Sequence, residues 1–352
     1  MAKFDFMIYG AYGYTGKLLV EEALKKGKRP LLAGRSEEKL REVASATGLE
    51  YTVADLRNHD QLSEAVSSVK AVIHAAGPFI YTASPMQKAC LEAGVHYLDV
   101  TGEIPVFEHT LSNDKKAREK GVALISGVGF DVVPTDSLAL HVSNLVSDPV
   151  DLEIAFGGLG GLSPGTVKTF LRGIHAGTLV RRRGKLVRIK KGKRHHVLFH
   201  DRERPVMPIS WGDLATAYHS TGIPNITVYT ALSRRSFLFN PSALKVVSLA
   251  MRFSPVRKKI HNWVDRFVQG PDKRTRESSF AFVWARAANQ KGQSAEGWLK
   301  LAEGYRFTAL SSLAFISKVL RGDIAGAFTP SRAFGSDFVL EIEGTERFTR
   351  AG

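Results

Sequence analysis

The residues of this chain that could do chemistry begin at its tenth position. Gly10, Gly13 and Gly16 follow the apolar run Phe6-Met7-Ile8-Tyr9 and precede a helical pattern. A buried strand that turns through glycines into a helix presents backbone N–H groups and the positive end of a helix dipole, which together cradle a pyrophosphate. Gly10 would allow the tight turn, Gly13 the approach of the phosphates and Gly16 the packing of helix on strand. With Tyr12, Tyr14 and Thr15, these glycines make the expected cofactor loop. A second strand ends at Ala33-Gly34-Arg35-Ser36. An NAD site usually ends this strand with a carboxylate for the ribose 2′-hydroxyl. Arg35 and Ser36 stand there instead, a guanidinium and a hydroxyl that suit a 2′-phosphate. The expected cofactor is therefore NADP. Asp55, after the third strand, either meets the adenine edge or caps the following turn. Ala76, Gly77 and Pro78, after the fourth, would pass beside the nicotinamide ribose, where Gly77 permits close backbone approach.

Hydride transfer also calls for a group that moves a proton. The loops Pro78–Ser84, Thr101–Pro105 and Gly127–Asp136 lie at the carboxyl ends of expected strands and carry Tyr81, Glu103 and Asp131. Each has a plain alternative: Tyr81 a half-buried aromatic, Glu103 a solvated loop residue, Asp131 a helix cap. Spacing singles out none of them as the catalytic residue. Ser163-Pro164-Gly165-Thr166 could cap a helix or hold an anion. No HExxH or CxxC pattern is present, so no metal is expected.

These residues need elements to position them. Apolar strand patterns at Lys3–Tyr9, Pro30–Ala33, Tyr51–Ala54, Ala71–Ala75, His96–Val100 and Val122–Ile125 alternate with helical ones at Thr15–Lys26, Ser36–Ala46, Asp60–Val69, Ser84–Ala93 and Asn113–Lys120. The fold class expected is α/β: an N-terminal Rossmann doubly wound parallel sheet, covered by helices on both faces. After Val132 the regular alternation stops. A helix at Thr135–Leu145, strands at Asp151–Phe156, Asn225–Thr230 and Ser279–Arg286, a helix from Thr166 to Ala176 and hairpins in Leu179–Phe199 predict an α+β domain with a largely antiparallel sheet. A helix over Trp298–Leu320 and a last strand at Phe338–Ile342 close the chain. The expected divisions are a cofactor domain at 1–130, a substrate and dimerisation domain at 131–320, and a C-terminal segment at 321–352 returning to the first.

The 352 residues are 44% hydrophobic, enough for sizeable cores, and the single cysteine, Cys90, fits a reducing cytoplasm. Met1–Asp5 does not read as a secretory signal. No window is apolar enough to cross a membrane; Ser311–Leu320 is short, and Leu244–Phe253 carries Lys245 and Arg252. The net charge of +15 points to an anionic partner. Nine of the fourteen residues in Arg181–Arg194 are Lys or Arg, which suits either a solvated hairpin or peripheral contact with an anionic membrane. Aromatics are not interleaved with them, which argues against nucleic acid. A homodimer is compatible with this composition.

Several segments resemble the saccharopine dehydrogenase-like oxidoreductases, in the branch that includes trans-acting enoyl reductases of mycobacterial lipid synthesis. They are Gly10–Gly16, Ala33–Ser36, Ala75–Phe79, Cys90–Gly102, Gly129–Asp136, Trp211–Tyr218, Thr221–Asn225 and Phe328–Pro330. Tyr97-Leu98-Asp99-x-Thr101-Gly102-Glu103 and Gly129-Phe130-Asp131 are the most specific. The resemblance implies a Rossmann domain, a second α/β domain and a C-terminal segment packing on the first. The two-amino-acid substrate apparatus of the saccharopine-forming enzymes is not located here, so the substrate stays open. The function expected is NADPH-dependent hydride transfer to a C=C (enoyl-type, lipid-related) or C=N/C=O small molecule. The alternative is a catalytically idle NADP-binding sensor or scaffold.

Overall fold

The apolar run after Lys3 is a strand because it is enclosed. Phe6 to Tyr9 of β1 (Phe4–Tyr9) are buried, as a parallel strand covered on both faces requires. The computed structural model describes residues 2–158, 160–161, 163–167, 177–189, 195–232 and 254–351. Two units divide the chain: Met1–Ser137 with Tyr305–Thr345, and Leu138–Gly304 with Glu346–Gly352.

The first unit holds β2 (Leu31–Gly34), β3 (Tyr51–Val53), β4 (Val69–His74), β5 (His96–Asp99), β6 (Ala123–Ile125) and β15 (Gly326–Phe328). With β1 they form one seven-stranded sheet of order β15-β6-β5-β4-β1-β2-β3. Every pairing is parallel, with Met7 against Leu31 and Ile8 against Ile73 at the centre. The order reverses between β1 and β4, the crevice where ligands of doubly wound sheets bind. The helices are α1 (Tyr14–Lys25), α2 (Glu37–Thr47), α3 (His59–Ser67), α4 (Phe79–Ala93), α5 (Ile104–Ser112), α6 (Asp114–Lys120) and the start of α7 (Val133–Ser143). Cys90 is buried in the core of this unit.

The second unit contains β7 (Asp151–Gly157), β8 (Thr178–Arg182), β9 (Lys185–Ile189), β10 (His195–Leu198), β11 (Glu203–Pro208), β12 (Asn225–Ala231), β13 (Phe280–Ala288), β14 (Ser294–Ala302) and β16 (Glu346–Ala351). Their sheet runs β10-β11-β12-β7-β13-β14-β16, with the β8–β9 hairpin on β12. Only the β12–β7 pairing among the described residues is parallel. Ala281, Val283, Ala285 and Ala287 of β13 are buried on one face, the period-two pattern of a strand. A Cβ on Gly297 would stand 2.8 Å from Leu138, so a small residue lets α7 lie on β14. Further helices are α8 (Asp213–Thr221), α9 (Ser254–Phe267) and α10 (Lys273–Ser278); α11 (Gly304–Val319) and α12 (Pro330–Phe334) follow, both in the first unit from Tyr305 on.

Several expectations need correction. Trp298–Ala302 is strand, because Ala295, Gly297, Leu299 and Leu301 alternate inward; the helix starts at Gly304. Phe338–Glu341 is a 3-10 turn, since Phe338 packs edge-on to Phe315 at 4.7 Å; the last strand is Glu346–Ala351. α4 begins at Phe79, five residues before Ser84. The 131–320 and 321–352 divisions also shift. Residues from Tyr305 join the first unit because Thr308 Oγ1 accepts from the Phe130 N–H at 3.0 Å and Ser311 donates to the Val128 carbonyl at 2.8 Å. The last strand pairs with β14, so only Tyr305–Thr345 completes the first unit. Leu244–Phe253, most of the helix from Thr166 to Ala176 and Lys190–Arg194 lie outside the described residues.

Candidate functional site

The glycine loop leaves β1 with Gly10 at φ +87°, a left-handed conformation that favours glycine. Its N–H donates to the Ala33 carbonyl at 2.8 Å, and its carbonyl accepts from the Gly13 N–H at 2.9 Å. A Cβ on Gly10 would meet Ala76 Cβ at 2.8 Å, and one on Gly16 would strike the Gly10 carbonyl. The loop is therefore pressed between α1 and the segment after β4, and larger side chains have no room there. Gly13 is the N-cap of α1, no side chain caps the helix, and no acidic residue stands in its first turn. The positive end of α1 thus takes no carboxylate from its N-cap residue or its first turn. Tyr14 packs edge-on against Tyr305 at 4.9 Å, and Thr15 follows in the first turn.

Tyr12 turns the other way. A Cβ on Gly34 would meet its ring at 2.6 Å, so Gly34 exists to seat that ring at the end of β2. Arg35 follows it, exposed, with no hydrogen bond or ion pair on its guanidinium among the described residues. Ser36 is the N-cap of α2, as its position suggested, but its hydroxyl makes no cap hydrogen bond. Two uncommitted polar groups therefore stand side by side after β2. Asp55 differs. Its Oδ1 accepts from the Arg57 N–H at 3.0 Å and its Oδ2 pairs with the Arg57 guanidinium at 2.7 Å. Those bonds hold the carboxyl down at about 2, and they commit Asp55 to its own turn.

The segment after β4 is fixed by side chains that spacing alone did not single out. His74 is buried, with Nδ1 at 3.2 Å from the Tyr97 hydroxyl and Nε2 at 3.2 Å from the Ala76 carbonyl. Burial drives its pKa down to about 3, so it is a neutral structural group. Thr82 also donates to the Ala76 carbonyl, at 2.8 Å. Tyr97 donates to Asp99 at 2.8 Å. Asp99 further accepts from the N–H groups of Thr101 at 3.0 Å and Gly127 at 2.9 Å, and from the Ser126 hydroxyl at 2.7 Å. This buried carboxyl, raised by desolvation, ties the loops after β5 and β6 together. It accounts for the Tyr97-x-Asp99-x-Thr101 motif as architecture.

The three proton-transfer candidates separate. Glu103 is not a solvated loop residue. Its Oε1 accepts from the Phe79 N–H at 3.0 Å and its Oε2 from the Ile80 N–H at 3.1 Å, so it caps α4 just after Gly77 and Pro78. Tyr81 is not half-buried: it is 69% exposed in the first turn of α4. Asp131 is enclosed. A Cβ on Gly102 would lie 2.9 Å from its Oδ2, so glycine makes the space this carboxyl fills. Desolvation pushes its pKa up to about 7. A carboxyl that titrates near neutral pH can both hold and release a proton there. Asp136 Oδ2 accepts from the Ser331 N–H at 2.9 Å and docks the Phe328–Pro330 segment.

In the second unit, Ser163 Oγ accepts from the Thr166 N–H at 3.3 Å, the geometry of a helix cap. The basic segment is divided in its roles. Arg181 is buried, donating to the carbonyls of Leu214 at 2.6 Å and Gly184 at 2.7 Å, with its guanidinium 4.0 Å from the Tyr218 ring centre. Lys185 and Arg188 are exposed on β9. No cluster of metal-ligating side chains occurs among the described residues.

Residues 6–125 match the saccharopine dehydrogenase NADP binding domain. The chain is 34% identical over 150 residues to a lipid droplet localized protein of Caenorhabditis elegans, covering 39% of this chain and 35% of that one. It is 30% identical over 161 residues to the human saccharopine dehydrogenase-like oxidoreductase, covering 40% and 38%. A trans-acting enoyl reductase of Mycobacterium tuberculosis is 33% identical over 142 residues, covering 38% and 34%. The matches thus span less than two fifths of these relatives' own lengths. The fold resembles apo saccharopine dehydrogenase (L-Glu forming) from Saccharomyces cerevisiae, with a TM-score of 0.61 at 11% identity over 99% of this chain and 100% of that one.

Proposed function

We propose that this chain, whose residues 6–125 belong to the saccharopine dehydrogenase NADP-binding domain family, is an NADPH-dependent oxidoreductase. The observation that carries this reading is the end of β2, where Arg35 and the Ser36 hydroxyl stand without hydrogen-bond partners among the described residues and Arg35 occupies the place where an NAD site carries a carboxylate. A cofactor 2′-phosphate would satisfy both groups. The backbone of Gly10–Gly16 and the uncapped start of α1 would hold the pyrophosphate, and the glycines leave the space that a Cβ would fill. Tyr12 and Ala76–Pro78 would line the same site. The nicotinamide supplies the hydride. Asp131 would deliver the proton to the acceptor atom that does not receive hydride, since its carboxyl stays partly protonated at neutral pH.

The substrate class favoured is an enoyl-type, lipid-related C=C compound, with C=N and C=O acceptors as the other choices. The support is the names of two relatives, a lipid droplet protein and an enoyl reductase. NADPH oxidation would be followed with enoyl thioesters, cyclic imines and 2-oxo acids. Turnover on one class, reduced in Asp131→Asn, is the expected result. Tight NADPH binding without turnover on any class would instead make this an idle NADP-binding sensor or scaffold. The dissociation constants of NADPH and NADH test the cofactor separately: their ratio should change in Arg35→Ala, and an unchanged ratio removes the assignment of Arg35.

A further inference from the structure

Helix α9 carries an apolar stripe that faces water. Val256, Ile260, Trp263 and Phe267 are spaced by four, three and four residues, which puts them on one helical face. Trp263 is 58% exposed and Phe267 60% exposed, with ring centres 5.5 Å apart. Val264, on another side of the helix, is buried and supplies its attachment to the unit. Lys259 and Arg266 are exposed and, on the helical wheel, lie together beside the stripe, away from Val264. The Arg266 guanidinium lies 5.7 Å from the Phe267 ring centre. No acidic residue stands in the first turn.

Two large aromatics held in water on a well-formed helix mark a contact surface. Its charge states the kind of contact. A second copy of this chain would bring the same basic flank against itself, whereas an anionic surface complements it. Tryptophan favours the boundary between water and lipid, where its ring has both apolar and polar surroundings. No helix among the described residues is long and apolar enough to cross a membrane. A helix of this form lies in the plane of the headgroups.

We propose that α9 is a membrane-surface anchor that inserts Val256, Ile260, Trp263 and Phe267 into the headgroup boundary of an anionic phospholipid layer, with Lys259 and Arg266 at the phosphates. This is a different segment from the basic hairpin, and it does not depend on the proposed reaction.

The test is co-sedimentation of the full chain with vesicles of phosphatidylcholine, with and without added phosphatidylserine. Wild-type protein should bind the phosphatidylserine vesicles, less so at high salt. Trp263→Ser with Phe267→Ser should reduce that binding about 10-fold or more. Lys259→Glu with Arg266→Glu should reduce it on the order of 25-fold, from about fivefold for each cation near an anionic surface. All four side chains are exposed, so the thermal unfolding midpoint should hold and report intact folding. Absence of wild-type binding, or unchanged binding in both double variants, overturns the proposal. So does a change in vesicle-free oligomeric state by light scattering in the aromatic variant, which would assign the stripe to a second copy.

Discussion

Two helices leave the same carboxyl edge of the first sheet, and their N-termini are treated in opposite ways. α1 starts at Gly13 with no side-chain cap and no acidic residue in its first turn. α4 starts at Phe79 with both oxygens of Glu103 on its first N–H groups. A helix N-terminus needs acceptors for its unpaired donors: Glu103 supplies them to α4 from 24 residues away, whereas α1, the end proposed above for a ligand's anion, takes none from its N-cap side chain or first turn.

The largest expected effect comes from making α1 resemble α4. Gly13→Asp places a carboxylate at the N-cap, where φ −71° and ψ 166° suit an L-residue and the new Cβ would stand 3.2 Å from the Gly10 carbonyl oxygen. Like charges brought together cost several kcal/mol, so NADPH affinity should fall on the order of 1000-fold. The unfolding free energy should hold or rise by about 1 kcal/mol. Titration of NADPH fluorescence checks this, and normal affinity would show that α1 is not the anion site.

Asp131 belongs to neither helix end, and its substitution comes next. Asp131→Asn should lower turnover roughly 100-fold or more. Its carboxyl is raised from the ordinary carboxylate range to about 7, so the folded state binds the proton more tightly than the unfolded state. The resulting stabilisation is complete below the unfolded pKa, is lost as pH rises through about 7, and then stays lost. Asp131→Asn should therefore gain stability relative to wild type at pH about 8, with the gap closing toward pH about 4. Melting curves across that range decide the matter; a constant gap removes the shifted carboxyl.

Arg35→Ala tests whether the anion at α1 belongs to a cofactor with a further phosphate. The preference for NADPH over NADH should drop about 10- to 100-fold, the worth of one charged hydrogen-bonding group. The smallest effect is expected at α4. Glu103→Ala should cost about 1–2 kcal/mol and fray Phe79–Thr82, seen as faster amide exchange there. Protection unchanged in that turn would mean that Glu103 does not close α4.

The start of α4 also shows where reading the chain stopped. The local pattern predicted a helix only over Ser84–Ala93. The structure extends it back to Phe79 because Glu103, 24 residues away, supplies acceptors that no local pattern records. Glu103 is thereby engaged as the acceptor that caps α4. Trp298–Ala302 misled in the opposite direction: its small and apolar residues suit a helix locally, but the pairing of Trp298 with Trp284 and Phe348 makes it a strand. Gly102 and Gly34 give no signal by spacing, yet each makes room for one side chain, Asp131 and Tyr12.

By itself the amino-acid order determined six of the first sheet's seven strands, the glycine loop and the guanidinium after β2. Those depend on short-range patterns: apolar runs of strand length, glycines where a Cβ cannot fit, and a charge at a strand end. Tertiary structure alone decided which carboxyl does what. Asp55 is spent on Arg57, Asp99 on four donors, Glu103 on α4 and Asp136 on Ser331, while desolvation raises the Asp131 carboxyl to about 7. The role of an acid is set by the donors and the solvent around it, and in a folded chain those come from residues far away in sequence.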